Sequence, residues 1–220
     1  MSDGTIHLSQ RSIAPTGIDA NTSGLWVDSD GQIKVTQSSG SSAFLGGSQQ
    51  QEVLYSETLS GTGIFDVDLS SAYNQSFDHL ILRALLRGSV AAIVDEAYLF
   101  FNGDTTTTNY VFYMLYGGTA HNHQTSTTPK IGTCPAASSI ANDYGIYTIN
   151  LPNYSETSKN KILYSQSAAR RDSGQLYITP SGVSWTNTAA INQITLQPDG
   201  YATDSFVAGS YLEIIGVKNL

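Results

Sequence analysis

The chain has 220 residues, 40% hydrophobic and 13% charged, with 10 Lys and Arg against 18 Asp and Glu for a net charge of −8. That length suits one large core or two small ones, and its scattered basic residues argue against a nucleic-acid groove or an anionic membrane as the main partner, both of which need clustered positive charge. The single Cys134 excludes an internal disulfide, and with only four histidines no zinc site of ordinary composition forms around it.

In chain order, the first twenty residues show no basic segment leading an apolar stretch. No segment approaches the roughly 20 apolar residues that cross a bilayer, so a soluble protein is expected. Leu25 to Asp28 and Gln32 to Thr36 predict a β-hairpin around Ser29-Asp30-Gly31. Asp28-Ser29-Asp30-Gly31 is read as its turn and not as a calcium loop, since Thr36 and Ser39 stand where such a loop needs acidic or amide oxygens and a bidentate Glu at its twelfth position. Two short strands are marginal alone in water, so residues 1–48 are expected to form a docking arm ordered against a larger assembly. Leu25, Trp26, Val27, Ile33 and Val35 are its expected apolar contacts, and the Ser/Gly tract from Ser38 to Gln51 predicts a flexible joint.

Residues 49–220 read as a second unit. Ser and Thr make up roughly a fifth of the chain, Tyr and Phe are plentiful, and turn dipeptides punctuate short alternating runs. Strands are expected at Glu52 to Leu59, Gly63 to Leu69, Asp78 to Arg87, Ala97 to Phe101, Asn109 to Tyr116, Gly145 to Leu151, Lys161 to Gln166, Gln175 to Thr179, Ile191 to Leu196 and Ser210 to Val217. The leucines of Asp78 to Arg87 would also suit a helix. Ala97 to Phe101 and Asn109 to Tyr116 are expected to pair across Asn102-Gly103-Asp104. Strands this short and numerous predict an all-β protein, an antiparallel β-sandwich of jelly-roll type behind the N-terminal arm.

With the strands placed, the sequence resembles a module of tailed-bacteriophage virion proteins. The likeness lies in Phe77-Asp78-His79-Leu80-Ile81-Leu82-Arg83, Leu99-Phe100-Phe101-Asn102-Gly103-Asp104 and Asn109-Tyr110. It continues through Ile149-Asn150-Leu151-Pro152-Asn153-Tyr154, Lys161, Trp185, Ala189-Ala190-Ile191, Ile194, Leu196, and Phe206 to Ser210 followed by Gly216-Val217-Lys218. Upstream, Ala14-Pro15-Thr16-Gly17 and Leu25 to Ile33 resemble the leader of tail-fibre and head-decoration proteins. The chain departs from the pattern at Ile215 and Trp26, where the family often carries Tyr, with apolar character kept at both. The resemblance implies a particle component, without saying where on the particle it sits.

Several residue groups are weighed for chemistry. Asp66 and Asp68 share one strand face and have the residue types of a glycosidase acid pair, but with Phe65, Val67 and Leu69 opposite them a solvated face is the expected reading. Asp95-Glu96, adjacent in an extended strand, face opposite ways. His121-Asn122-His123 would gather six imidazoles about a threefold axis, yet its Gly- and Thr-rich surroundings predict a surface loop. Arg170-Arg171-Asp172 reads as a solvated turn. Tyr110, Phe112, Met114 and Tyr116 form an aromatic stripe that either lies under a loop or makes a subunit contact, since one face of their strand looks away from a single core.

The expectation is therefore a non-enzymatic structural component of a tailed-phage virion, assembled in the host cytoplasm. Its arm would dock on other virion proteins of capsid or tail, and its sandwich would be displayed outside. A homo-oligomer, with a trimer favoured, and no cofactor or metal are expected. The alternative is a tail-fibre adhesin that binds a host surface glycan through Asn-, Asp-, Thr- and Tyr-rich loops. A glycan depolymerase would need an acid pair that the spacing does not supply.

Overall fold

A computed structural model describes residues 23–27, 33–37, 42–44, 50–71, 74–116, 122–126, 128–172, 175–199 and 204–218. The chain divides into two units, Met1–Gln49 with Leu220, and Gln50–Asn219. The first contains three antiparallel strands in the order β1 (Ser23–Val27), β2 (Ile33–Gln37) and β3 (Ser42–Phe44). Leu25 stands opposite Val35 and Val27 opposite Ile33, so the five expected docking residues lie on the first two strands. The turn residues 28–32 and the leader segment 14–17 fall outside the described residues. The Ser/Gly tract differs from the expected joint in that β3 forms within it and pairs with β2.

The second unit is a sandwich of two antiparallel sheets. Its strands are β4 (Gln50–Thr58), β5 (Phe65–Asp68), β6 (His79–Leu86), β7 (Val94–Phe101), β8 (Tyr110–Tyr116) and β9 (Asn122–Ser126). They continue with β10 (Lys130–Pro135), β11 (Gly145–Pro152), β12 (Lys161–Asp172), β13 (Gln175–Trp185), β14 (Gln193–Pro198) and β15 (Tyr211–Lys218). One sheet has eight strands in the order β4-β15-β6-β11-β12-β13-β8-β9, and the other four in the order β10-β7-β14-β5. Among the described residues there is no α-helix. The pairing is nested: β4 lies beside β15, β5 beside β14, β6 beside β11 and β7 beside β10.

Period-two burial explains these strands. In β11, Ile149 and Leu151 are buried while Ile146, Thr148 and Asn150 are exposed. In β6, Leu80, Leu82, Ala84 and Leu86 all point inward; wound as a helix they would be spread around the cylinder and lose that common face. Each fully buried Leu contributes about 2 kcal/mol, enough for the strand to prevail over leucine's helical preference. The core gathers both sheets, with Phe65, Leu99, Phe101, Trp185, Leu196 and Ile214 among its buried members.

Two expectations are corrected. β7 and β8 do not pair across Asn102-Gly103; the turn carries the chain from the small sheet to the large one, where β8 joins β13. Nor is Arg170-Arg171-Asp172 a turn: it belongs to β12, which pairs with β13 as one long hairpin.

Candidate functional site

The two ends of the sandwich treat their polar groups differently. At one end Lys161 of β12 pairs with Trp185 of β13. Asn102 and Gly103 leave β7 there with φ of 53° and 66°, a left-handed conformation that Asn and Gly adopt at least cost. Asn102 Oδ1 accepts from the N–H groups of Asn192 (2.8 Å) and Gln193 (3.1 Å), and its Nδ2 donates to the Ala190 carbonyl (2.8 Å).

Asp104 accepts from Trp185 Nε1 (2.8 Å), Asn109 Nδ2 (2.9 Å) and the Thr106 N–H (3.0 Å). Burial opposes its ionisation, but these hydrogen bonds outweigh burial and hold its pKa below the ordinary carboxylate value. The Tyr110 hydroxyl donates to the Asp104 carbonyl (2.9 Å) and accepts from the Phe101 N–H (3.1 Å). Lys161, 2% exposed, donates to the carbonyls of Glu156, Lys159 (2.9 Å) and Thr188 (3.1 Å); desolvation lowers its pKa. Phe101 to Asp104, Asn109-Tyr110, Lys161, Trp185 and Ala190 all belong to the motif set described above. They meet in one network that directs its hydrogen bonds into the fold.

At the opposite end Arg87 is buried, and its guanidinium donates to the carbonyls of Ile140 (2.7 Å), Asp143 (2.9 Å) and Ser139 (3.2 Å), gathering that loop around one cation. Beside it opens a cleft of about 650 Å³ between the edge of the small sheet and the strands by which the large sheet overhangs it. Asp95 and Glu96 of β7 and Thr133 of β10 line it from the small sheet. The large sheet contributes Met114, Arg171 and Tyr177, and Asp199 and Asp204 add two more carboxylates.

Within the cleft, Glu96 forms an ion pair with buried Lys130, and the Tyr98 hydroxyl donates to it at 3.0 Å. Arg171 donates to the Tyr177 hydroxyl and to Gln175 Oε1 (3.3 Å), its guanidinium 5.5 Å from the Tyr177 ring centre. Asp95 is different. It is 5% exposed and lies against Gly88, and its Oδ1 accepts from the Glu96 N–H at 2.8 Å while Oδ2 has no partner. Burial, reinforced by the carboxylates of Asp204, Asp199 and Glu96, overcomes that hydrogen bond and pushes the Asp95 pKa up to about 6. Thr133 is 7% exposed and its Oγ1 likewise lacks a partner.

A second surface is the outer face of the eight-stranded sheet. Leu85, Ile146, Ala168 and Ile178 stand side by side on four adjacent strands, and a shallow notch of about 210 Å³ lies between Ile146, Ala168 and Ile178. Tyr164 and Tyr113 flank Gly182, Ile162 and Val111 flank Ser184, and Leu115 and Leu176 extend the patch. Arg83 and Glu213, on the same face, neutralise one another at 3.5 Å.

This arrangement corrects the expected subunit contact. Tyr110, Phe112 and Met114 are at most 1% exposed and belong to the core, whereas Val111, Tyr113 and Leu115 are 54%, 48% and 43% exposed. The strand is as read and its outward face is the other one. The side chain of Tyr116 and residue His121 lie outside the described residues; His123 sits on β9 opposite Leu115. Asp66 and Asp68 face solvent on β5 with Phe65 and Val67 buried; Asp66 accepts from Gln193 Nε2 (2.8 Å) and Thr195 Oγ1 (3.0 Å).

Sequence reasoning missed the cleft. One signal was available: Asp95 shares the inward register of Ala97, Leu99 and Phe101, where a carboxylate has no packing role. Among the described residues no group of three or more ligating side chains is placed to hold a metal ion, and no helix is long and apolar enough to cross a membrane. Fold and surfaces together define a two-sheet antiparallel β-sandwich. Compared with known proteins, the chain matches no family model, no curated protein and no solved structure.

Proposed function

We propose that the protein is a non-enzymatic structural component of a tailed-phage virion whose sandwich associates with further copies of itself through the outer face of its eight-stranded sheet. The observation that carries this reading is the apolar character of that face. Nine large apolar side chains there are between 41% and 61% exposed. They present on the order of 800 Å² of apolar surface, above the roughly 300–600 Å² of a typical monomer's largest patch and close to the ~800 Å² per partner of a standard interface. Arg83 and Arg170 on this face are each paired within the chain, with Glu213 and Asp143.

Strand order supports the jelly-roll form of the reading. Taking β4, β5, β6, β7, β10, β11, β14 and β15 as strands one to eight, one sheet runs 1-8-3-6 and the other 2-7-4-5. Every strand thus pairs with the one that brings the sum to nine, as when a long hairpin is rolled over itself into two Greek keys. β8–β9 and β12–β13 are then insertions that widen one sheet and create the overhang above the cleft. The resemblance of residues 52–220 to virion modules points the same way.

Immunogold labelling and immunoblotting of gradient-purified particles test the proposal. The chain is expected in the particle fraction, bound at regular positions on intact virions. Its recovery only in the soluble fraction would refute the assignment.

The adhesin reading draws support from one observation. β4 starts and β15 finishes at the Lys161 end of the sandwich, so the cleft lies at the end away from the point where the chain enters the fold. A ligand site there would be free to face outward.

A further inference from the structure

We propose, resting on the self-association read above, that copies of this chain meet about a rotation axis running along the β12–β13 hairpin. Side chains of β12 in one copy are then seated in the gaps of β13 in the next.

Gly182 lies mid-strand in β13, opposite Tyr164 of β12 and Tyr113 of β8, in regular register with both. Glycine inside a strand weakens it, and is retained for a positive φ, a bulge, internal crowding or a close approach from outside. The φ of Gly182 is not positive, and the bulge of the hairpin lies elsewhere, between Arg170 and Asp172. Among the described residues, a Cβ at Gly182 would meet nothing within 4 Å, whereas at Gly88, Gly132 and Gly216 it would strike Asp95, Ser167 and Phe77. Approach from outside is what remains.

Three register pairs of the hairpin on this face set a large side chain beside a small one: Tyr164 beside Gly182, Ile162 beside Ser184 and Ile178 beside Ala168. Tyr164, Ile162 and Ile178 stand exposed, and the notch of about 210 Å³ opens at Ala168. The large residue is on β12 in the first two pairs and on β13 in the third, so the relief of one strand is the inverse of the other's. An axis parallel to the strands and midway between them keeps every residue at its height and brings β12 of one copy to β13 of the next. Tyr164 then enters the neighbour's gap at Gly182, Ile162 the gap at Ser184 and Ile178 the gap at Ala168. A twofold and a threefold axis give the same match. Packed sheet faces interdigitate their side chains across roughly 10 Å, and this relief allows it. Gln166 and Pro180, between these pairs, are uncharged, and Arg170 beyond them is paired with Asp143.

Sedimentation equilibrium of the full-length chain tests the placement, with Gly182→Leu, Ser184→Leu and the reversed pair Tyr164→Gly with Gly182→Tyr. Each single variant fills a gap and is expected to weaken association about tenfold or more, with the melting of the dilute chain unchanged because position 182 is open inside the subunit. The reversed pair exchanges knob and gap and is expected to associate within about threefold of the wild type. A wild type that stays monomeric would remove the self-association itself. A wild type that associates and is blocked by Ile146→Lys with Ile178→Lys, yet is unaffected by filling either gap, would leave self-association standing and overturn the axis. A reversed pair that melts like the wild type and associates as weakly as Gly182→Leu would overturn it as well.

Discussion

The Lys161 end and the Asp95 end of the sandwich contain similar kinds of polar residue and use them oppositely. At the first, a buried ammonium meets three carbonyls and a carboxylate collects three donors. At the second, a more deeply buried carboxylate keeps one oxygen unpartnered among other carboxylates. A satisfied network rigidifies a fold, while an unsatisfied one lowers stability and is retained where something else uses it. The contrast separates residues that hold the sandwich together from residues available for binding.

The largest effect that tests this contrast is at Lys161. Lys161→Ala removes a buried aliphatic stem and orphans three carbonyls, with an expected loss of about 4 kcal/mol in denaturant unfolding. A loss under about 1 kcal/mol would show that the cage contributes little. Next comes Asp104→Ala, expected to cost about 3 kcal/mol because the Trp185 indole N–H and the Asn109 amide lose their acceptor. In a double-mutant cycle with Trp185→Phe, a coupling of about 1 kcal/mol or more is expected; additive losses would argue against the bond.

The Asp95 end should respond with the opposite sign. Its folded pKa of about 6 lies above the unfolded carboxylate value of about 3.9, so the native state holds this proton more tightly. The stabilisation from this group is complete below about pH 4 and lost as pH rises through about 6, a penalty of at most about 3 kcal/mol. Asp95→Asn keeps an acceptor for the Glu96 N–H and carries no charge. It is expected to stabilise the protein by about 1–2 kcal/mol at pH 8 and to flatten stability between pH 4 and 6. Equal destabilisation at both ends of that range would mean that Asp95 is partnered in solution.

How much of this was legible depended on periodicity. β6 and β11, with one face buried and one exposed, announced themselves by alternation. β10 did not, because all six of its residues are buried and no period survives. Gly132 stands within it because a Cβ there would lie 2.3 Å from Ser167 Oγ. The aromatic stripe of β8 was readable as a stripe, but which of its two faces turns inward depends on sheet assignment. The cleft was less legible still, since its residues come from β7 and the segment before it, from β8, β10, β12 and β13, and from the two segments that follow β14 and precede β15. Only the topology, which links strands far apart in sequence, brings them together.

The smallest expected stability change is on the outer face. Ile146→Lys with Ile178→Lys replaces two exposed side chains, 56% and 55% accessible, so the isolated fold should change by no more than about 0.5 kcal/mol per site. Their effect on association should be large, since burying an unpaired lysine at an interface opposes assembly.

Sedimentation equilibrium of the full-length chain beside this double variant is the most direct measurement. Self-association through the eight-stranded sheet predicts a homo-oligomer, expected to be a trimer, that dissociates to folded monomer in the variant. A wild-type chain that stays monomeric across concentration, or a variant that assembles as well as the wild type, would contradict it.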